Sequence, residues 1–317
     1  MKRLGGFGIF LVVVATAFWW LMLEGKAPDS AANLFDVQSY RNMVADDVGQ
    51  RPTALHIEMA GEDVAPGFAA ETGNFGSNYA VTYSALQIVW SDKTIVIGGA
   101  ADQSTTEGMR QSEEKGRFHP DAYDRIVQSM VSAEQVLITH EHLDHVMAIA
   151  RHPLPDKLAP RLQLNTHQLA VLPNFTVSGK LPEAIANVTP TDFNEAQSIA
   201  PGVVVIPSAG HTPGNQSFYV QLEDGTEYLL IGDIVWTMSN IDSLKTRPRL
   251  LQYLMFDPDE QRDRILEQIR ALHDLKIAEP NLVLVNSHDQ HYLESLIDNN
   301  KLVSGFVELA APNGEKQ

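Results

Sequence analysis

One seven-residue stretch constrains this chain more than any other: Thr139-His140-Glu141-His142-Leu143-Asp144-His145, directly after the apolar run Val136-Leu137-Ile138. With 11 His in 317 residues, three His at these fixed offsets arise by chance about 0.01 times in such a chain. The spacing excludes a helical ligand pair, which needs His at i and i+4, because Asp144 stands four residues beyond His140. The donors must come from an extended loop at a strand end. There His140 and His142 point the same way, and a turn immediately afterwards swings Asp144 and His145 to a neighbouring point. One short loop can then serve two metal ions.

Two ions with imidazole and carboxylate ligands need more than four donors, and the later sequence offers them past three further apolar runs. Gly210-His211-Thr212-Pro213-Gly214 follows Val203 to Pro207, Gly232-Asp233 ends Tyr228 to Ile231, and Ser287-His288-Asp289 ends Asn281 to Asn286. Binding sites of layered α/β folds gather at the carboxyl ends of strands, so four separate loops are expected to meet at one edge. For the last donor His291 and Asp289 compete with His288. The chain has no Cys, which removes thiolate metal sites, disulfides and thiol nucleophiles together. Nitrogen and oxygen donors suit Zn²⁺ first, with Fe or Mn also fitting. No G-x-S-x-G elbow, G-x-x-x-x-G-K loop or G-x-G-x-x-G turn occurs.

Forty Asp and Glu against 23 Lys and Arg give a formal charge of -17, so polyanions are repelled on average and nucleic acid is excluded as a partner class. At the N-terminus, Met1-Lys2-Arg3 precedes Leu4 to Leu23, twenty residues without a charge. As a single helix this run would span about 30 Å, the hydrocarbon thickness of a bilayer. Lys2 and Arg3 before it and Glu24 after it place the N-terminus in the cytoplasm and the remaining chain on the periplasmic or extracellular side. The expectation is a single-pass membrane anchor over residues 1–26, a polar tether over 27–53 and one domain over 54–317. Ala15-Thr16-Ala17 offers the alternative of a cleaved signal peptide and a secreted protein. Cleavage there would leave the apolar Phe18 to Leu23 as a new terminus.

Within the domain, strands are expected at Leu55 to Met59, Ala80 to Trp90, Thr94 to Ile97, Gln135 to Thr139, Arg161 to Asn165, Val203 to Ile206, Ser217 to Gln221, Tyr228 to Ile231 and Asn281 to Asn286. Helices are expected at Asp121 to Ser132 and, with Pro258 near its first turn, at Asp257 to Leu275. Strands precede helices twice, which reads as two similar sheet-plus-helix halves of one α/β domain.

The chain at this point resembles the metallo-β-lactamase-fold hydrolases, whose His-x-His-x-Asp-His signature is matched at His140, His142, Asp144 and His145. The resemblance runs from about Leu55 to Leu296 and takes in a later His in a Gly-His-Thr-Pro-Gly context, His211, an Asp after Gly at a strand end, Asp233, and a last His, His288. It implies a four-layer αββα sandwich with two metal ions: His140, His142 and His211 on one, Asp144, His145 and His288 on the other, Asp233 bridging. It also implies hydrolysis of a small ester, lactone or amide by a hydroxide that the two ions share, with Asp144 and Asp233 as the carboxylates at the reacting centre.

Two departures stand out. Family members that open acyl-homoserine lactones commonly carry Tyr three residues past the bridging Asp, where this chain has Trp236, able to donate only through its indole N–H. The Asp often found before the first helix is replaced in Ile97-Gly98-Gly99. The resemblance implies a loop over the metals with Phe75, in Gly73-Asn74-Phe75-Gly76, at its tip; a plain Gly/Asn turn is the equal alternative. Trp236 to Phe256, with Met238, Leu250, Leu251, Tyr253, Leu254 and Met255 beside Lys245, Arg247 and Arg249, reads first as ordinary core of an amphipathic segment and otherwise as an apolar substrate wall with a cationic rim, Trp236 and Tyr253 being its candidate contacts. Two alternatives remain: a mononuclear-iron oxidoreductase on the same fold, and a catalytically idle metal-binding module held at a membrane.

Overall fold

The run Val203-Val204-Val205-Ile206 is apolar at every position, and because successive strand side chains point to opposite sides it requires cover on both faces of its sheet. The computed structural model describes residues 2–254 and 260–309, with side chains from residue 8 onward. In it Val203 and Val205 pack with Leu55, Ile57, Ile88 and Phe218, whereas Val204 and Ile206 pack with Tyr40, Ile265 and Ile269. The first set lies between two sheets and the second beneath helices.

The chain opens with helices α1 (Lys2–Phe18) and α2 (Val37–Asp46). The first half then lays down β1 (Ala54–Pro66), β2 (Asn78–Val89), β3 (Thr94–Ile97), α3 (Gln103–Met109), β4 (Arg117–Phe118), α4 (Pro120–Ser132), β5 (Gln135–Leu137) and α5 (Leu143–Ala150). Short helices α6 (Pro155–Leu158), α7 (Thr166–Val171) and α8 (Glu183–Ala186) lead into β6 (Gln197–Ala200), β7 (Val203–Pro207), β8 (Gln216–Gln221) and β9 (Glu227–Gly232). Helices α9 (Ser239–Ser243), α10 (Arg249–Leu254) and α11 (Arg262–Ala278) follow, then β10 (Val283–Asn286), α12 (Gln290–Asp298) and β11 (Val303–Ser304). The strands form two sheets, in the orders β11-β1-β2-β3-β5, with β4 beside β1, and β10-β9-β8-β7-β6. A third apolar cluster sets Ile126, Met130, Val146 and Ile149 of α4 and α5 against Val96 and Val136. Helices, sheet, sheet, helices is the αββα order expected.

β5 runs parallel to β3, and β10 parallel to β9. β7 shares the direction of β9, because both are antiparallel to β8. The loops after β7, β9 and β10 therefore leave one edge of the second sheet. The loop after β5 meets them there.

Four expectations change. Arg161 to Asn165 is not a strand: Pro160 lacks a backbone donor, the chain turns through a 3₁₀ helix at Ala159–Arg161, and a single bridge joins Leu162 to Val136. The helix expected from Asp257 is described from Arg262 to Ala278, and Pro258 lies outside the described residues. The segment 27–53 is packed rather than strung out: Phe35, Val37, Tyr40 and Val44 are buried against the second sheet. Its Arg41 hydrogen-bonds Glu227 at 2.7 and 2.8 Å and Glu279 at 2.8 and 3.0 Å.

The fourth concerns the anchor. The α-helix spans 17 residues and gives way at Trp19–Leu23 to a wider π turn, closed by Glu24 N–H donating to the Trp19 carbonyl at 2.8 Å. At 1.5 Å per residue the α-helical part is about 26 Å long, short of the hydrocarbon thickness. Among the described residues no helix is long and apolar enough to cross a membrane. The single-pass spanning helix expected over Leu4 to Leu23 is corrected accordingly.

Candidate metal centre

The motif changes from extended chain to helix within its own length. His142 has extended backbone and is the residue before α5, so Asp144 and His145 fall in that helix's first turn, where a carboxylate is favoured by the helix dipole. His140 and His142 point to one place, their ring centroids 4.8 Å apart, and the turn brings the His145 ring to 4.0 Å from His140. His211 arrives from the loop after β7, with Nε2 3.0 Å from His142 Nδ1. Asp233 arrives past Gly232, whose φ of +56° is left-handed, a conformation that favours glycine.

Asp233 Oδ2 lies 2.8 Å from His288 Nε2, 3.6 Å from His140 Nε2 and 3.8 Å from His211 Nε2; its Oδ1 lies 3.6 Å from His145 Nε2. Asp144 Oδ2 lies 3.3 Å from His288 Nε2. Three interlocking groups emerge, His140 with His142 and His211, His140 with His145 and Asp233, and Asp144 with His145 and His288, the ligating atoms of each within 4.8 Å of one another. All seven candidate ligands are thus brought together. His291 is not: it is 79% exposed beside Glu294. Asp289 is also turned away, accepting hydrogen bonds from the backbone N–H groups of Tyr292 and Met238.

Burial, reinforced by neighbouring imidazoles, holds His140 well below the usual imidazole range, and burial lowers His145 and His211 as well. Burial would raise the Asp233 carboxyl, but His288, His140 and His145 hold it well below the usual carboxylate range. For His288 burial is outweighed by Asp233 and Asp144, which push the imidazole up to about 9. His140 Nε2, His145 Nε2 and Asp233 Oδ1 are buried with no hydrogen-bond partner in the protein, a cost of about 1–3 kcal/mol each when left unsatisfied. Unpartnered imidazole nitrogens facing carboxylates, with no thiolate present, fit divalent cations.

Several supporting residues escaped the sequence reading. Glu141, inside the motif, points away from the ligands and accepts from Thr212 Oγ1 at 2.7 Å and Gly214 N–H at 2.9 Å, fixing the loop that carries His211. A Cβ at Gly214 would sit 2.6 Å from Glu141 Oε2. Asn165 and Gln168 both donate to the Gly214 carbonyl at 2.9 Å. Buried Glu260, paired with Arg247, lies 3.4 Å from His211 Nδ1. The outer ring nitrogens of His140 and His288 face Thr139 Oγ1 at 3.1 Å and the Thr82 carbonyl at 2.8 Å. Such partners orient imidazoles; Thr139 and Glu141 lie inside the motif itself, whereas Thr82, Asn165, Gln168 and Glu260 come from distant positions with no motif of their own.

A cavity of about 370 Å³ opens over His142, Asp144, Asp233 and His288, walled by Pro66, Tyr79, Val81, Tyr83, Met109, Leu143, Trp236 and Leu251. Of the expected substrate contacts, Trp236 lines it, its indole 6.1 Å from the His288 ring and beneath the Arg247 guanidinium. Phe75 and Tyr253 do not. Each is 53% exposed, Phe75 stacked on Phe18 and Tyr253 beside Trp20. Met255 and Phe256 lie outside the described residues.

No family model and no curated protein matches this chain. Solved structures do. A quorum-quenching N-acyl homoserine lactone hydrolase superposes with a TM-score of 0.55 at 13% identity, covering 78% of this chain and 96% of that one. An N-acyl homoserine lactone hydrolase with its product N-hexanoyl-L-homoserine at the catalytic metal centre gives 0.52 at 12%, covering 78% and 97%. A probable metal-dependent hydrolase from Staphylococcus aureus gives 0.52 at 11%, covering 76% and 91%. Two facing sheets between helix layers, a His-rich edge where their loops converge, and these superpositions together identify the chain as a protein of the metallo-β-lactamase fold.

Proposed function

We propose that this chain is a metal-dependent hydrolase whose site holds two divalent cations, zinc first among them, and cleaves a small ester, lactone or amide outside the cytoplasm. The observation that carries the reading is the convergence of four strand-end loops into three interlocking His and Asp groups that share His140 and His145. His140, His142 and His211 would hold one cation, Asp144, His145 and His288 the other, with Asp233 between them. Cations bound there would polarise a substrate carbonyl and lower the pKa of water toward ~7.

The protein's own residues supply the rest. Glu141, Asn165 and Gln168 keep His211 in register with the motif, and Glu260 and Thr82 orient two imidazoles. The apolar walls exclude water around the scissile group and strengthen electrostatic interactions at the floor. Trp236, in place of a phenol, offers one indole N–H to an acyl oxygen. Because ligation requires neutral imidazole, cation binding displaces protons from the site. Lys2 and Arg3 ahead of the uncharged run Leu4 to Leu23 have the pattern of an export signal, which supports placing the domain on the non-cytoplasmic side.

The test is metal analysis of the purified full chain beside a panel of lactone, ester, amide and phosphodiester substrates. The expected result is about two divalent ions per chain and hydrolysis that Asp144→Ala abolishes. A chain that binds no metal, or turnover unaffected by Asp144→Ala, would overturn it.

A further inference from the structure

Ile9, Phe10, Leu11, Val12, Val13 and Val14 are consecutive in α1, and each is between 47% and 69% exposed. Successive helix residues turn by about 100°, so six in a row go fully around the axis. A groove on another protein, or a second copy of this helix, covers one stripe and leaves the others in water. Lipid acyl chains are apolar in every direction and cover all six.

The other end of the helix is fixed to the rim of the cavity. Trp19 and Trp20 are 54% and 42% exposed, the residue type that settles at the boundary between headgroups and hydrocarbon. Trp20 lies 6.3 Å from Tyr253 and 4.7 Å from the Arg249 guanidinium. Phe18 stacks on Phe75, which contacts Phe68. Glu24 accepts from Arg249 at 2.6 Å, and the backbones of Gly25 and Ala27 hydrogen-bond those of Thr246 and Leu244. Leu251, between Arg249 and Tyr253, and Ala69, beside Phe68, line the cavity itself.

We infer that α1, with Trp19, Trp20 and Phe75, docks on a lipid bilayer and inserts among its acyl chains, turning the cavity mouth to the lipid so that an acyl-chain substrate enters from the bilayer. The substrate half rests on the hydrolase reading; the docking half does not. With a net charge of -17 over the whole chain, zwitterionic headgroups are preferred over anionic ones.

Flotation of the full chain with phosphatidylcholine vesicles tests the surface. Wild type is expected to float, less so when phosphatidylglycerol is added, and Ile9→Glu/Val13→Glu to stay behind with an unchanged circular-dichroism melt. Brominated phosphatidylcholine is expected to quench wild-type tryptophan emission and to lose that effect in Trp19→Phe/Trp20→Phe. Wild type that stays in solution, or self-associates there through α1, overturns the docking. For the mouth, cleavage of 4-nitrophenyl decanoate held in vesicles is expected to fall about tenfold in the Ile9→Glu/Val13→Glu variant while soluble 4-nitrophenyl acetate is cleaved unchanged. Equal decanoate rates would overturn the orientation. Flotation with no cleavage of either ester would instead remove the hydrolase reading and leave the lipid surface standing.

Discussion

Glu141 and Glu260 show how little a residue's type says about its task in this site. Glu141 sits between two candidate ligands in sequence, yet its carboxylate turns away to hold Thr212 and Gly214. Glu260, with no motif around it, reaches the ring of the candidate ligand His211. Burial opposes its charge, but Arg247 and His211 bring its carboxyl down to about 2, so it is ionised at neutral pH. Glu260→Gln keeps the shape and removes the charge; metal affinity, measured by competition with a chromophoric chelator, is expected to weaken about 10–100-fold. Asp233 contacts imidazoles from all of the converging loops. Asp233→Asn is expected to lower bound metal to about one ion per chain or less and to abolish turnover, read by elemental analysis and rate together.

At the scale of elements, the helical spacing of Val37, Tyr40 and Val44 in α2 is local to the chain, but its partners are not. Its periodicity shows an apolar face; that the face closes over Tyr219 and Leu229 depends on strands nearly two hundred residues away. Arg41 clamps it to β9 through Glu227, whose carboxyl the Arg41 hydrogen bonds hold below the usual range. A depressed folded pKa gives stability that is present above the unfolded carboxylate value and lost as pH falls through the folded one. Arg41→Met is therefore expected to cost about 2 kcal/mol at pH 7, and the gap between the two thermal melts to narrow as the solution is acidified below the normal carboxylate range. The strand expected at Arg161 to Asn165 failed for a different reason: its apolar residues alternate suitably, but Pro160 turns the chain before a ladder can form.

For the whole molecule, cations held by the proposed ligands would act as a staple between the halves, because His140, His142, Asp144 and His145 follow a strand of one sheet and His211, Asp233 and His288 follow strands of the other. A ligand that binds only the folded state stabilises it by mass action, about 2.7 kcal/mol at one hundred times its Kd. Dialysis of the full chain against dipicolinate is expected to lower the melting temperature and to remove activity together, both returning with Zn²⁺. A chelated protein that melts unchanged would show that the two halves do not share the metals.

The amino-acid sequence by itself determined the four candidate donors of the motif and their local placement. A strand's period of two aims His140 and His142 together, a helix start swings Asp144 and His145 beside them, and the absence of Cys leaves nitrogen and oxygen ligands only. These are local rules, readable from neighbouring residues. Tertiary structure alone decided that His288 rather than His291 faces the centre, that Glu260 and Thr82 meet its rings, and that Trp236 lines the cavity while Phe75 packs on Phe18 and Tyr253 on Trp20. It also decided the fate of the N-terminal run, whose apolar character was plain but whose tie to the domain depends on Glu24 meeting Arg249 across more than two hundred residues. Contacts at that separation follow from how the two sheets pack, and no local periodicity encodes them.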